Sequence, residues 1–410
     1  DASGPDGSIA KVRIVVQTRD VYGSLVNQTW AAFQDGTGAW QPLPTPSVPG
    51  MYEFDVAGPV FGVALVCATQ DNVNSWGTLH FGTTAAGTVL ELGTPGSVCT
   101  SGTPVAKYTL TGRLTLQPGY WYWRYGHAHQ FSPTFSTNGS TTTPTFSATE
   151  MVHDELNDVA FAMAPGTDQY PISKLGIRRD VRATANVDAG FDFDLVDAGV
   201  SPMGNAQAQV LGTTVDAGAV DVHYLTRATE IGMRLNTSVT AGVGTRSASF
   251  ALLPESIRRP TDRYFLRGSE DLSDQWRRAS IATYPSGPLT VSLPPTFPVA
   301  FAAQPSPYLR PTFGFTSVAG AVKYTFSIAH SPAAGSNHLF DIAIDPAWFE
   351  GQSQLLVTFP DFSQVAGFSS AWVAPNPGSV MVKAAVSSQS MDAGTALKSE
   401  SGRSATVSVP

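Results

Sequence analysis

The sequence predicts an all-β, multidomain protein of tandem β-sandwiches, with short helices only in the connections. Three observations carry this expectation. Apolar and polar residues alternate at period two in run after run, as half-buried strands demand, because successive side chains leave opposite faces of the pleat. The chain holds 38 Gly and 30 Pro, which break long helices and supply frequent turns. Charged residues make up only 14%, against about a quarter in typical soluble domains. The solvent faces therefore fall to Ser, Thr, Gln, Asn and Gly, as on Thr-rich strands.

At 410 residues, with 42% hydrophobic, the chain is too long for one ordinary core. Residues 1–8, DASGPDGS, read as a flexible tail, either the mature end left after signal removal or the tether behind a lipidated cysteine upstream. Residues 9–104 read as a first sandwich. In MYEFDV, Tyr52, Phe54 and Val56 share a phase; in FGVALVCAT, Phe61, Val63, Leu65 and Cys67 do. The turn-rich PLPTPSVPG cannot lie in a central strand, because proline removes ladder donors. Cys67 and Cys99 are the only cysteines, and an even, minimal count fits one disulfide formed in an oxidising compartment.

Residues 105–300 read as a central β-rich region, one large sandwich or two smaller ones. Tyr108, Leu110, Leu114 and Leu116 are in phase in KYTLTGRLTL, and further strand-like runs follow through DVAFAMA, IRRDVRATANV, AVDVHYL and ASFALL. The polar stretch 132–149 reads as a loop. SEDLSDQWRR is the best helix candidate, with Ser269 as N-cap before an acidic first turn. The Pro-punctuated stretch from Pro288 to Pro311 reads as a connection into a last sandwich over 301–410.

In that last region RPTFGFTSVAGAVKYTFSI places Phe313 and Phe315 before a Gly320-Ala321 corner and Tyr324, Phe326 and Ile328 after it. The pattern resembles the second and third strands of bacterial fibronectin type III-like, immunoglobulin-like modules, with Phe315 where that family usually carries a core Trp. The resemblance covers about the C-terminal quarter of the chain. It implies a sandwich there and assigns no activity.

Net charge is −8 and no Lys/Arg run occurs, so nucleic acid is a poor partner. No apolar stretch of about 18 residues exists to span a bilayer as a helix. The densest chemistry lies in GYWYWRYGHAHQF. Trp121, Trp123, Tyr125 and Arg124 form a candidate ligand platform, and His127 and His129, two apart, would leave one face of a strand and could grip Cu²⁺ or Zn²⁺. The plainer reading of the same residues is an amphipathic strand whose Trp and Tyr bury in the core while the His residues meet solvent. Asp192 and Asp194 share a strand face in DAGFDFDLVDAG and are candidate Ca²⁺ ligands, without the spacing of an EF-hand. His153, Asp154, Glu155 and Asp158 cluster in HDELND, where acid–base work or Ca²⁺ binding competes with plain solvation. No cofactor is predicted beyond those candidate metals. There is no G-x-S-x-G, H-E-x-x-H or P-loop.

These readings point to a secreted or surface-anchored bacterial protein, extracellular or periplasmic, with a structural, adhesive or ligand-binding role in the cell envelope. Its expected partner is a glycan or another envelope protein. An extracellular hydrolase acting on glycan or peptide from the central region is the alternative, and no motif assigns catalysis.

Overall fold

The period-two runs become strands. A computed structural model describes residues 11–409 apart from 21–23, 87, 94–106, 119–121, 127–133, 137–142, 144, 152–155, 165–171, 183–188, 191, 227–232, 241, 284–287, 333–334, 350–351 and 393–394. The protein is all-β. Helix among the described residues is limited to 3-10 turns at Glu255–Ile257, Pro346–Phe349 and Ser370–Trp372. The chain forms two compact units, one of residues 1–104, 296–388 and 401–410, the other of 105–295 and 389–400.

In the first unit a central sheet runs, strand beside strand, from the 378–388 segment through Ala321–His330, Asn337–Ile344, Asn74–Thr83, Val60–Ala68 and Trp30–Asp35 to the short Gln41–Pro42. Both faces of this sheet are covered where Val60–Ala68 and Trp30–Asp35 run. Phe61, Val63 and Leu65 face Ile14, Val16, Tyr52 and Phe54 of a small sheet built on Val12–Arg19. Ala64 and Val66, in the opposite phase, join Phe313, Phe315, Tyr324 and Phe326 in a larger core. A third sheet, Val299–Gln304, Arg310–Thr316 and Gln354–Thr358, supplies the other wall of that core. Val60–Ala68 is therefore apolar in both phases because it is buried on both faces, as strands inside layered structures are.

The sequence reads 9–104 and 301–410 as separate modules, whereas here strands from both stretches share one sheet. Asn74–Thr83 and Asn337–Ile344 pair in parallel, with Gly77 beside Phe340 and Phe81 beside Ile344. Gly77 makes the contact possible, since a Cβ there would lie 2.0 Å from the Phe340 ring. Trp30 completes the joint core, packing edge-on against Phe362 and Phe368 and donating from Nε1 to Ala366 O at 3.0 Å. The two strands of the Gly-Ala motif lie in opposing sheets, and Phe313 meets Phe326 across the core with ring centroids 4.5 Å apart.

In the second unit, Asn236–Thr240, Gly244–Leu252, Gly204–Thr213 and Leu289–Ser292 form one sheet, and Met233–Arg234, Val220–Leu225, Arg263–Asp271 and Gln275–Thr283 pair in a second. Val210, Val222, Tyr224, Phe250, Tyr264 and Leu266 fill the core between them. Leu156–Ala164 pairs with Lys174–Arg182 and with Tyr122–Gly126, and Ala160, Ala162 and Leu175 reach the same core.

Three local expectations are corrected. The helix expected at SEDLSDQWRR is a hairpin in which Glu270 lies opposite Arg277. The stretch 132–149, expected as a loop, contains the paired strands Thr134–Ser136 and Thr145–Met151, the latter lying along Lys107–Thr115. The Pro-rich connection holds the strands Leu289–Ser292 and Val299–Gln304, whose ladder residues lie between its prolines.

Candidate functional site: an aromatic cleft

The first unit carries a cleft of about 290 Å³ lined by Trp40, Trp348, Phe81, Gln34, Leu356, Thr358 and Asp361, with Ile344, Val357 and Pro360. Its construction follows from local structure. Trp40 ends the TGAW turn between Trp30–Asp35 and Gln41–Pro42, and its ring stands edge-on to Phe362 (5.0 Å) and Phe81 (6.0 Å). The indole lies across the backbone of Gly62, where a Cβ would come within 2.9 Å of the Trp40 ring. Trp348 is set by the 3-10 turn Pro346–Phe349, whose start is tied by Ala347 N donating to Asp345 Oδ1 at 2.9 Å. Asp345 N in turn donates to Phe81 O at 2.9 Å. Trp348 packs edge-on to Phe81, 5.2 Å between centroids, so one phenyl ring supports the cleft beneath both indoles.

Polar groups are distributed around the aromatics. Gln34 Nε2 donates to Gly38 O at 2.6 Å, Thr358 Oγ1 shares a hydrogen bond of 3.1 Å with Thr312 Oγ1, and Asp361 Oδ1 accepts from Ser363 N at 2.9 Å. Trp348 Nε1 is buried without a hydrogen-bond partner. Leu356 is 69% exposed at the rim. Flat aromatic faces beside hydrogen-bonding groups suit a ligand with apolar faces and polar edges. Asp361 is the one carboxylate among the described lining residues, whereas glycosidic hydrolysis usually employs two.

The residues singled out by sequence fall elsewhere. Trp121, His127, His129, His153, Asp154, Glu155 and Cys99 lie outside the described residues. Trp123, Arg124 and Tyr125 lie on Tyr122–Gly126, opposite Met163, Ala162 and Phe161. Asp194 serves a turn, its Oδ1 accepting from Val196 N (2.8 Å) and Asp197 N (2.9 Å), while Asp192 accepts from Arg113 N (3.0 Å). Among the described residues no group of three His, Cys, Asp or Glu is placed to hold a metal. Cys67 is buried on its strand.

Asp158 of HDELND belongs to a buried charge network in the second unit. Arg179 bridges it to Asp262, with Nη1 donating to Asp158 Oδ2 at 3.0 Å and Nη2 to Asp262 Oδ2 at 2.7 Å. Tyr224 OH and Arg259 N also donate to Asp262, and Asp180 N to Asp158. Burial works against the charged Arg179, but its bonds to Asp262 and Asp158 outweigh it and raise the pKa above the ordinary arginine value. Burial, reinforced by Asp262, raises the Tyr224 phenol. These groups tie Leu156–Ala164 and Lys174–Arg182 to the strands bearing Tyr224 and Arg263.

Sequence reading missed the cleft because its tryptophans stand far apart in the chain. The available signal was weak: in TGAW and PAWF a Trp follows small turn residues, where an indole is not predestined for a core. The fold and cleft define a layered all-β protein with a concave aromatic surface. No protein-family model matches the chain, and no curated protein matches it.

Proposed function

We propose that this is a secreted or surface-anchored, non-catalytic bacterial envelope protein that binds a glycan in the Trp40–Trp348 cleft. The observation that carries this reading is the pair of indoles mounted on Phe81 beside Gln34, Thr358 and Asp361. Pyranose rings offer C–H groups to an aromatic face and hydroxyls to surrounding acceptors and donors, and small-molecule sites combine mostly apolar walls with a few polar groups in this way. The low share of charge, the polar strand faces and a Cys67–Cys99 bridge are in keeping with export. We assign that bridge as part of the same reading, to be read as a mass two hydrogens lower before reduction than after.

The test is a thermal-shift and calorimetric panel of oligosaccharides. A ligand that binds only the native state stabilises it by about 2.7 kcal/mol at a hundredfold excess over its Kd. A glycan that raises Tm in the wild type and fails with Trp40→Ala and with Trp348→Ala, both variants remaining folded, is the expected result. Equal shifts in wild type and variants, or no shift with any glycan, would sink the proposal. Cleavage of the bound glycan would replace binding by hydrolysis.

A further inference from the structure

A second site lies at one end of the central sheet of the first unit. His330 closes Ala321–His330, and His338 stands directly opposite it on Asn337–Ile344. Their ring centroids are 6.2 Å apart and their planes differ by 23°. Each imidazole is held from its outer side. His330 Nδ1 lies 3.3 Å from Ser379 O, and His338 Nδ1 lies 2.8 Å from Ser75 Oγ. Ser379 and Ser75 belong to the strands that flank the histidine pair on either side. In an imidazole the Nε2 edge lies across the ring from Nδ1, so the outer Nδ1 contacts leave each Nε2 on the edge turned away from its serine.

The protonation pattern follows from the partners. A carbonyl oxygen only accepts, so His330 Nδ1 carries the hydrogen and His330 Nε2 presents a bare lone pair. That Nε2 is buried and has no hydrogen-bond partner. A metal-ligating histidine is commonly fixed in this manner, its other nitrogen anchored to a carbonyl or hydroxyl. Both rings line a cavity of about 10 Å³, walled otherwise by apolar side chains that include Phe340, Phe359 and Trp372. Such a space admits about one water-sized body.

We infer that His330 and His338 form a two-coordinate site for a soft monovalent metal ion, copper(I), bound between their Nε2 atoms. Two metal–nitrogen bonds of about 2.0 Å placed end to end span about 4 Å, which fits between rings whose centroids are 6.2 Å apart. Zinc(II) seeks four ligands, and a cavity of about 10 Å³ has no room for the waters that would complete its shell. The described lining holds no carboxylate, so a divalent ion would be buried with its charge uncompensated.

Anaerobic titration of the intact chain against the copper(I)–bicinchoninate complex, with ascorbate as reductant so that a disulfide survives, tests the site. The expected result is withdrawal of one equivalent of copper by the wild type, with affinity at least tenfold lower in His330→Gln and in His338→Gln. Ser75→Ala, which removes only the outer support of His338, should lower affinity about 10- to 100-fold. The double variant His127→Ala with His129→Ala should bind as the wild type does. X-ray absorption on the wild-type complex needs no variant to fold, and should show two nitrogen neighbours at about 2.0 Å. No withdrawal of copper, loss of binding in the His127/His129 variant instead, a sulfur neighbour, or a four-coordinate shell would each overturn the inference.

Discussion

At the scale of single residues, the same ion-pair chemistry has opposite consequences at two depths. Arg179 keeps 12% of its side-chain surface, and Asp158 and Asp262 keep 1% each. Arg13 is 64% exposed against Glu53 at 49%, where solvent and salt screen the pair. Removing a partner from a buried pair leaves an uncompensated charge and costs about 3–5 kcal/mol, whereas exposed pairs contribute about 0–1 kcal/mol. Arg179→Ala, which takes the guanidinium from between the buried carboxylates Asp158 and Asp262, should therefore lower the denaturant-unfolding free energy by about 3 kcal/mol or more, and Arg13→Ala should leave it within about 1 kcal/mol. Equal effects of the two substitutions would refute the burial of the Arg179 network. Gly62 is a second decisive residue. Its Cβ would sit 2.9 Å from the Trp40 ring, so Gly62→Ala should displace that indole, shift its fluorescence and weaken glycan binding while the core remains folded. An unchanged emission spectrum would refute that placement of Trp40. None of this was visible in sequence. HDELND reads as a solvated acidic cluster because Arg179, whose guanidinium neutralises Asp158 and also binds Asp262, lies on another strand.

At the scale of elements, period two was legible wherever one face met a core, as in MYEFDV, where Tyr52, Phe54 and Val56 are buried and Glu53 and Asp55 exposed. SEDLSDQWRR misled because its acids fit a helical first turn equally well. What decides the hairpin is distant: Glu270 is completely buried and accepts from Val215 N at 2.8 Å and Arg277 Nε at 2.8 Å. Burial alone would raise the Glu270 pKa, but Arg277 and the backbone N–H groups of Val215 and Thr214 more than offset it and lower it. His80, on Asn74–Thr83, is pushed down to about 4 from 6.5 by burial and by nearby Lys323. Both shifts act in the same direction on acidification. A histidine with a depressed native pKa binds its proton in the unfolded chain first, so stability falls as pH drops from about 6.5 toward 4. Glu270 contributes stability above its unfolded value of 4.5 that disappears as pH falls through its lower native value. Unfolding free energy measured from pH 7 to 3 should thus decline in two stages, and His80→Gln should flatten the stage between about 6.5 and 4. A pH-independent stability across that range would contradict the burial of His80.

At the scale of the whole molecule, the motif around Gly320-Ala321 suggests that residues 301–410 fold alone, and the pairing of strands suggests the reverse. Asn337–Ile344 takes its parallel neighbour from Asn74–Thr83, a ladder that closes a very long loop and has no local signature in sequence. Without residues 1–104 that strand becomes an open edge. His338 would lose Ser75, Trp372 Nε1 would lose Asn72 Oδ1 at 2.8 Å, and Phe362 and Phe368 would lose the Trp30 ring that packs against both. Trp30, Leu79 and Phe81 are buried in one core with Tyr324, Phe340 and Phe359, so either stretch alone exposes its half of that core to water. Residues 296–410 expressed alone should consequently bind hydrophobic dye and lack a cooperative unfolding transition, and adding residues 1–104 in trans should restore one. A sigmoidal, two-state melt of the 296–410 chain by itself would show the opposite, that the motif marks a self-sufficient module and that the ladder to Asn74–Thr83 is an accessory to it.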